Sequence, residues 1–262
     1  MLDREKLSSH LYQEDDIILA GHIFDKIEMV IRRKNNQSTS FLNPYQCEIA
    51  SGILEQIYEV GFILDGGYKD AERKRITIFP EYMFPEHIDS PVNLLKVSGN
   101  FKFQSVDHRD FLGALMGLGI KREMIGDILV SDEFAQVVLA EEVKEFIMMK
   151  MEYVHEVPVE ITEICRDEII IPSDNAKEIR TTVASMRLDA VASAGFGDSR
   201  NKISRDIKND KLKLNWKTEN NPSANVEIGD LISIRGRGRV EVVGDNGLSH
   251  RGRIKLFLKR YS

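Results

Sequence analysis

The sequence predicts an α+β chain with an N-terminal α/β unit over residues 1–82, a central βαββαβ unit over 83–172 and a C-terminal unit of two helices and a small sheet over 177–262. Three observations predict it. The apolar period switches repeatedly between the three-and-four spacing of helices and the alternation of strands. In the middle of the chain these segments follow the order of a split βαβ arrangement. The charge is also divided: residues 177–262 hold 18 Lys and Arg against 10 Asp and Glu, a balance of +8, while the remainder holds 18 against 32, a balance of −14.

A length of 262 residues allows two or three domains, and 42% hydrophobic with 30% charged residues excludes bulk disorder. There is no run of 18 apolar residues, and Met1-Leu2-Asp3-Arg4-Glu5-Lys6 lacks the basic-then-apolar order of a signal peptide, so a cytoplasmic chain without a membrane partner is expected. Cys47 and Cys165 lie far apart, outside any Cys-x-x-Cys, and the histidines form no spaced set. No disulfide, metal or other cofactor is therefore expected.

In order along the chain, residues 17–31 carry Ile18, Ala20, Ile23, Phe24, Ile27, Val30 and Ile31 at helical spacing. Asn43-Pro44 opens a second helix, with Asn43 as cap, Pro44 at the first helical position and Gln46 completing a capping box; it is expected to run to about Val60. Residues 61–67 and 75–79 read as strands, and Pro80 and Pro85 bracket a linker. Residues 92–97 (strand), 108–118 (helix), 128–130 and 135–139 (strands), 141–153 (helix) and 157–164 (strand) then complete the ferredoxin-like, RNA-recognition-motif-like order. The strand Phe134-Ala-Gln-Val-Val-Leu139 lacks the Lys/Arg-Gly-Phe/Tyr stacking signature and has acidic neighbours. This sheet is not expected to stack bases itself.

After Pro172-Ser-Asp-Asn175 the composition changes. Residues 181–187 alternate as a strand, Leu188, Val191 and Ala192 give one face of a short helix punctuated by Gly195 and Gly197, and Ser199 caps a second helix. Projected at 100° per residue, Ile203 and Ile207 point one way while Lys202, Arg205 and Lys208 fall on the adjoining face. Residues 211–215 and 231–234 read as strands, the second leading into Arg235-Gly-Arg-Gly-Arg239, and the same pattern recurs at Arg251-Gly-Arg253. Glycine between arginines keeps the backbone thin, so that peptide N–H groups and guanidinium forks both approach phosphate oxygens. Such repeats also occur in disordered tails; their place between strands favours an ordered reading. The charge division fits a polyanion-binding module on a non-binding body, and equally a solvated surface without a partner.

Arg187-Leu-Asp189, Ser199-Arg200, Ile207, Lys213-Leu-Asn215 and Gly229-Asp230 resemble, in order and spacing, the S4 RNA-binding domain. Asp210 stands where that domain commonly has Gly, Trp216 follows Asn215 where many have Gly, and His250 sits where a lysine is expected. Ala71-Glu-Arg-Lys-Arg75, the run from His108 to Leu129, Thr182-Val-Ala-Ser-Met-Arg-Leu-Asp189, Asn215-Trp216 and the Arg-Gly run further resemble the bacterial YlmH family of S4-domain proteins, over nearly the whole chain. The resemblance implies a non-enzymatic factor that binds structured RNA, namely rRNA of the 50S ribosomal subunit with tRNA, in rescue or quality control of stalled translation.

The RNA-contacting set is then Arg187, Ser199, Arg200, Lys202, Arg205, Lys208, Lys213, Asn215, Trp216, Lys217, Arg235, Arg237, Arg239, Arg251 and Arg253. Trp216 is either a core anchor or a base-stacking platform, and Lys217 beside it favours the second. Asp189 reads as a helix cap or the partner of a nearby Arg. It also completes an Arg-Leu-Asp triplet like that of pseudouridine synthases, but without the Thr that follows there. A protein-interaction scaffold, built on the acidic N-terminal two-thirds, is the third class. The oligomeric state is open.

Overall fold

The structure is a computed structural model that describes residues 2–9, 11–101, 104, 106–172 and 176–261. Its architecture is α+β, as the sequence predicts. The chain divides into two compact units, Met1–Pro172 and Ser173–Ser262. The composition change read at residues 173–175 lies outside the described residues.

In the first unit, α1 (Arg4–Ser8), α2 (Glu14–Arg33) and α3 (Pro44–Leu54) accompany a sheet of β1 (Gln37–Ser38), β2 (Val60–Asp65) and β3 (Arg75–Pro80), in the order β1-β3-β2. Leu19, Ile23, Ile27, Val30, Ile53, Ile76 and Ile78 form the core between them. The Asn43–Gln46 capping box is present in both directions, and Pro44 is the first helical residue. This helix ends at Leu54, short of Val60, because Val60-Gly61 starts β2 and pairs with Pro80 and Phe79.

The second sheet of that unit is built from β4 (Val92–Gly99), β5 (Ile125–Val130), β6 (Phe134–Ala140), β7 (Tyr153–Val154) and β8 (Val157–Glu163), ordered β5-β6-β4-β8-β7 and antiparallel throughout. Helices α4 (His108–Gly117) and α5 (Lys144–Lys150) supply Phe111, Leu115 and Ile147 to one face of it. This is the split βαβ order. The helix expected to run from 141 to 153 instead opens as a 3-10 turn and closes at Lys150, because Tyr153 and Val154 fold back onto Val157 and Pro158 through a turn with His155 at φ +55°.

The Ala71–Arg75 run, which carried part of the family resemblance, ties the two sheets together. The buried Arg75 donates to Thr39 and Pro91 carbonyls and, bidentately at 2.7 Å, to Glu142. Arg73 donates to the carbonyls of Phe41 and Ile125. Cys47 is buried nearby, and burial pushes its thiol up to about 11, so it stays protonated.

The second unit is a six-stranded sheet, β9 (Lys177–Val183), β10 (Leu212–Leu214), β11 (Lys217–Thr218), β12 (Leu231–Ile234), β13 (Gly238–Leu248) and β14 (Ile254–Tyr261), ordered β11-β10-β12-β13-β14-β9. Its inner face, with Leu212, Ile232, Val240, Val242, Leu256 and Leu258, packs against Leu188, Val191, Ile203 and Ile207 of α6 (Leu188–Phe196) and α7 (Arg200–Lys208). Strand β9 ends at Val183, earlier than the alternation to Arg187 suggests. Residues 186 and 187 instead pair with 226 and 225. Among the described residues no helix is long and apolar enough to cross a membrane.

Candidate RNA interface

Helix α6 ends on Gly197 at φ +71°, the left-handed cap that glycine adopts without a Cβ penalty. Two residues later the Ser199 hydroxyl accepts the Lys202 N–H at 3.3 Å and starts α7. Ile203 and Ile207 are buried, whereas Lys202, Arg205 and Lys208 are exposed along one side of α7, as the projection requires.

Two acidic clamps position this side. Asp189, with 7% of its side chain exposed, accepts from Arg187 at 3.2 and 3.0 Å and from Arg200 at 2.8 Å to each oxygen. Burial opposes ionisation of the carboxyl, and the bonds from Arg187 and Arg200 outweigh it, holding Asp189 below the usual carboxylate range. Both oxygens of Asp189, in the first turn of α6, are thus engaged by the Arg187 and Arg200 guanidinium groups, which join the start of α6 to the start of α7. The second clamp is Arg237, which donates to Asp198 at 2.6 Å and to Asp206 at 2.7 Å, while Lys202 meets Asp198 at 2.7 Å. The Arg-Gly turn between β12 and β13, with Gly236 and Gly238 at φ +81° and +84°, is thereby held against α7.

The structure distributes the sequence-predicted residues unevenly. Arg200, Lys202, Arg205 and Lys208 lie on α7 and Arg235 lies in the Arg-Gly turn; Arg205, Lys208 and Arg235 have exposed cations without an acidic partner among the described residues. Arg187 and Arg237 are engaged in the clamps. Asn215 and Trp216, at φ +49° and +65°, form the two-residue type I′ connection between β10 and β11. There Asn215 donates to Asp230 and accepts from Leu231 N–H, Trp216 is half-buried and Lys217 is exposed. Lys213 and Arg239 sit on alternate positions to the buried Leu212 and Val240, so they leave the sheet on the face away from the helices. Arg251 and Arg253 lie in the β13–β14 turn, separated from the other Arg-Gly run by the rest of β13, about 30 Å. Arg253 donates to both the hydroxyl and the carbonyl of Thr182.

Sequence reasoning missed Asp198 and Asp206 as the anchors of the Arg-Gly turn. The Asp198–Lys202 spacing was visible as a helical ion pair, but the reach of Arg237 across 31 residues to Asp206 was not.

Three family models match the chain: "YlmH, N-terminal" over residues 18–83, "Putative RNA-binding domain in YlmH" over 85–168, and "S4 domain" over 186–232. Ribosome-associated protein quality control protein P2 of Bacillus subtilis (strain 168) is 36% identical over 249 residues, covering 95% of this chain and 96% of its own. The solved structure of cell division protein ylmH from Streptococcus pneumoniae matches with a TM-score of 0.52 at 26% identity, covering 61% of this chain and 96% of that one. With a relative this similar end to end and all three segments matched in order, the chain belongs to the YlmH family.

Proposed function

We propose that this protein is a non-enzymatic, cytoplasmic RNA-binding factor of ribosome-associated quality control, which docks through its S4 unit on structured rRNA of the large ribosomal subunit, with tRNA alongside. The observation that carries this reading is the pair of exposed cations Arg205 and Lys208 beside Arg200 and Lys202 on the outer side of α7. A rigid helix backed by buried Ile203 and Ile207 presents them at fixed spacing, which suits the phosphates of a folded RNA. The name of the Bacillus relative supports the process, and the RNA-binding and S4 domain matches support the ligand class.

Sedimentation of a lysate on a sucrose gradient tests it. The protein co-migrates with 50S particles and is released at high salt; Arg205→Glu with Lys208→Glu moves it to the top of the gradient. Co-migration unaffected by that pair of substitutions would remove α7 from the interface.

A further inference from the structure

The face of the six-stranded sheet turned away from α6 and α7 is not bare. Every outward position of β14 is cationic or aromatic: Lys255, Phe257, Lys259 and Tyr261 alternate with the inward Leu256 and Leu258. Successive outward side chains on a strand are about 7 Å apart. The neighbouring strands add to the same face. In register, Arg180 of β9 lies opposite Phe257 with its guanidinium 5.8 Å from the ring centroid, and Arg239 of β13 lies opposite Tyr261. Arg253 reaches onto it through Thr182, which pairs with Lys255, and Lys213 continues it on β10. Glu178 and Glu241 are the acidic members, and Tyr261 donates to Glu241.

Two details make this face more than a solvated surface. The two Arg-Gly runs sit at opposite ends of β13 and belong to no common site on the helical side; along the outward face one residue of each, Arg239 and Arg253, marks an end of one cationic stripe. The β13 residue opposite Phe257 is Gly244, where even a Cβ would meet nothing within 4 Å, so one flank of the half-buried ring is open while Arg180 holds the other. Strands β9, β13 and β14 also lie outside the residues 186–232 matched by the S4 model, so this face is an addition to that module.

We propose that the outward β9–β13–β14 face binds an extended, unpaired RNA segment, with a base against Phe257 and phosphates along Arg180, Lys255 and Arg253. Cations alternating with aromatic rings at a spacing close to that of nucleotides in an extended strand suit single-stranded RNA, whose bases are free to stack; a duplex offers no base faces to such a platform. The proposal rests on the RNA-binding reading of the same unit and extends it to a second face and a second form of RNA. The S4 unit then grips folded RNA with α7 and an adjacent single strand with its sheet.

Full-length protein and two labelled probes, an oligouridylate and a blunt RNA duplex, separate the faces by fluorescence anisotropy. Arg180→Ala, Lys255→Ala and Phe257→Leu combined are expected to weaken oligouridylate binding about tenfold or more and leave the duplex within about twofold. Arg205→Ala with Lys208→Ala does the reverse. Lys255→Ala alone, at an exposed position, carries part of the same loss and guards against misfolding of the triple variant. Oligouridylate affinity unchanged in these variants, or oligouridylate unbound while the duplex binds, overturns this inference alone. Equal loss of both probes in both variant sets also overturns it, since one face then serves both. Failure of both probes to bind wild-type protein overturns it together with the functional reading.

Discussion

Asp210 and Trp216 stand where glycine is common in S4 domains, and both adopt the backbone conformation that glycine favours, at φ +54° and +65°. The turn geometry is kept despite the substitution, at a cost of about 1 kcal/mol for a non-glycine residue in the left-handed region. Asp210→Gly is therefore expected to raise the melting temperature modestly, by up to about 1 kcal/mol of stability, in thermal denaturation followed by circular dichroism. Asp189 works in the opposite direction. Its carboxylate is buried, but its partners Arg187 and Arg200 are about half exposed and partly screened by water. Asp189→Asn should cost about 1–2 kcal/mol of stability, measured by urea unfolding, as the two guanidinium groups lose their shared anion.

At the level of elements, local signals placed starts and caps better than ends. The Asn43–Pro44–Gln46 box, the Ser199 cap and the Gly197 stop were legible because each depends on residues within one turn of helix. The short β7 and the early end of α3 were not, because strand pairing with distant residues decided them. Gly195 shows the same division. In the sequence it punctuates a helix; in the structure it lies inside α6, where a Cβ would come 2.6 Å from Val240 Cγ1. Alanine is the better helix former by about 1 kcal/mol, yet overpacking a filled core costs about 1–3 kcal/mol. Gly195→Ala is expected to destabilise by about 1–2 kcal/mol, since the obstructing atoms belong to a branched, buried side chain, and a lowered melting temperature would register it.

For the whole molecule, charge governs both stability and binding. Glu142 is held below its usual range by the Arg75 hydrogen bonds and Asp198 by Lys202; Asp65 and Asp189 are lowered because their arginine partners outweigh burial. Groups with depressed folded values stabilise fully above their unfolded pKa near 4 and lose that contribution as pH falls through the folded value. Both units carry such groups, so melting temperature should hold between about pH 7 and 5 and fall for both below about pH 4, in a pH series of calorimetric scans. RNA affinity should decline linearly in log salt, with a slope near −0.7 to −0.9 per phosphate contacted, and each of Arg205→Ala and Lys208→Ala should reduce that slope by about one contact, read by anisotropy titration.

The sequence by itself determined that a basic two-helix-and-sheet unit follows an acidic one, that Lys202, Arg205 and Lys208 share a helix side, and that the central segment is a split βαβ, because periodicity and charge are properties of neighbouring residues. What only the tertiary structure decided is which arginines remain available. Arg237, Arg73 and Arg75 carry the same charge as Arg205 and Arg235, yet distant partners draw them into clamps. Strand register likewise turned Lys213, Arg239 and Arg253 toward the face opposite α7. Both outcomes depend on contacts between residues tens of positions apart, which no local pattern records.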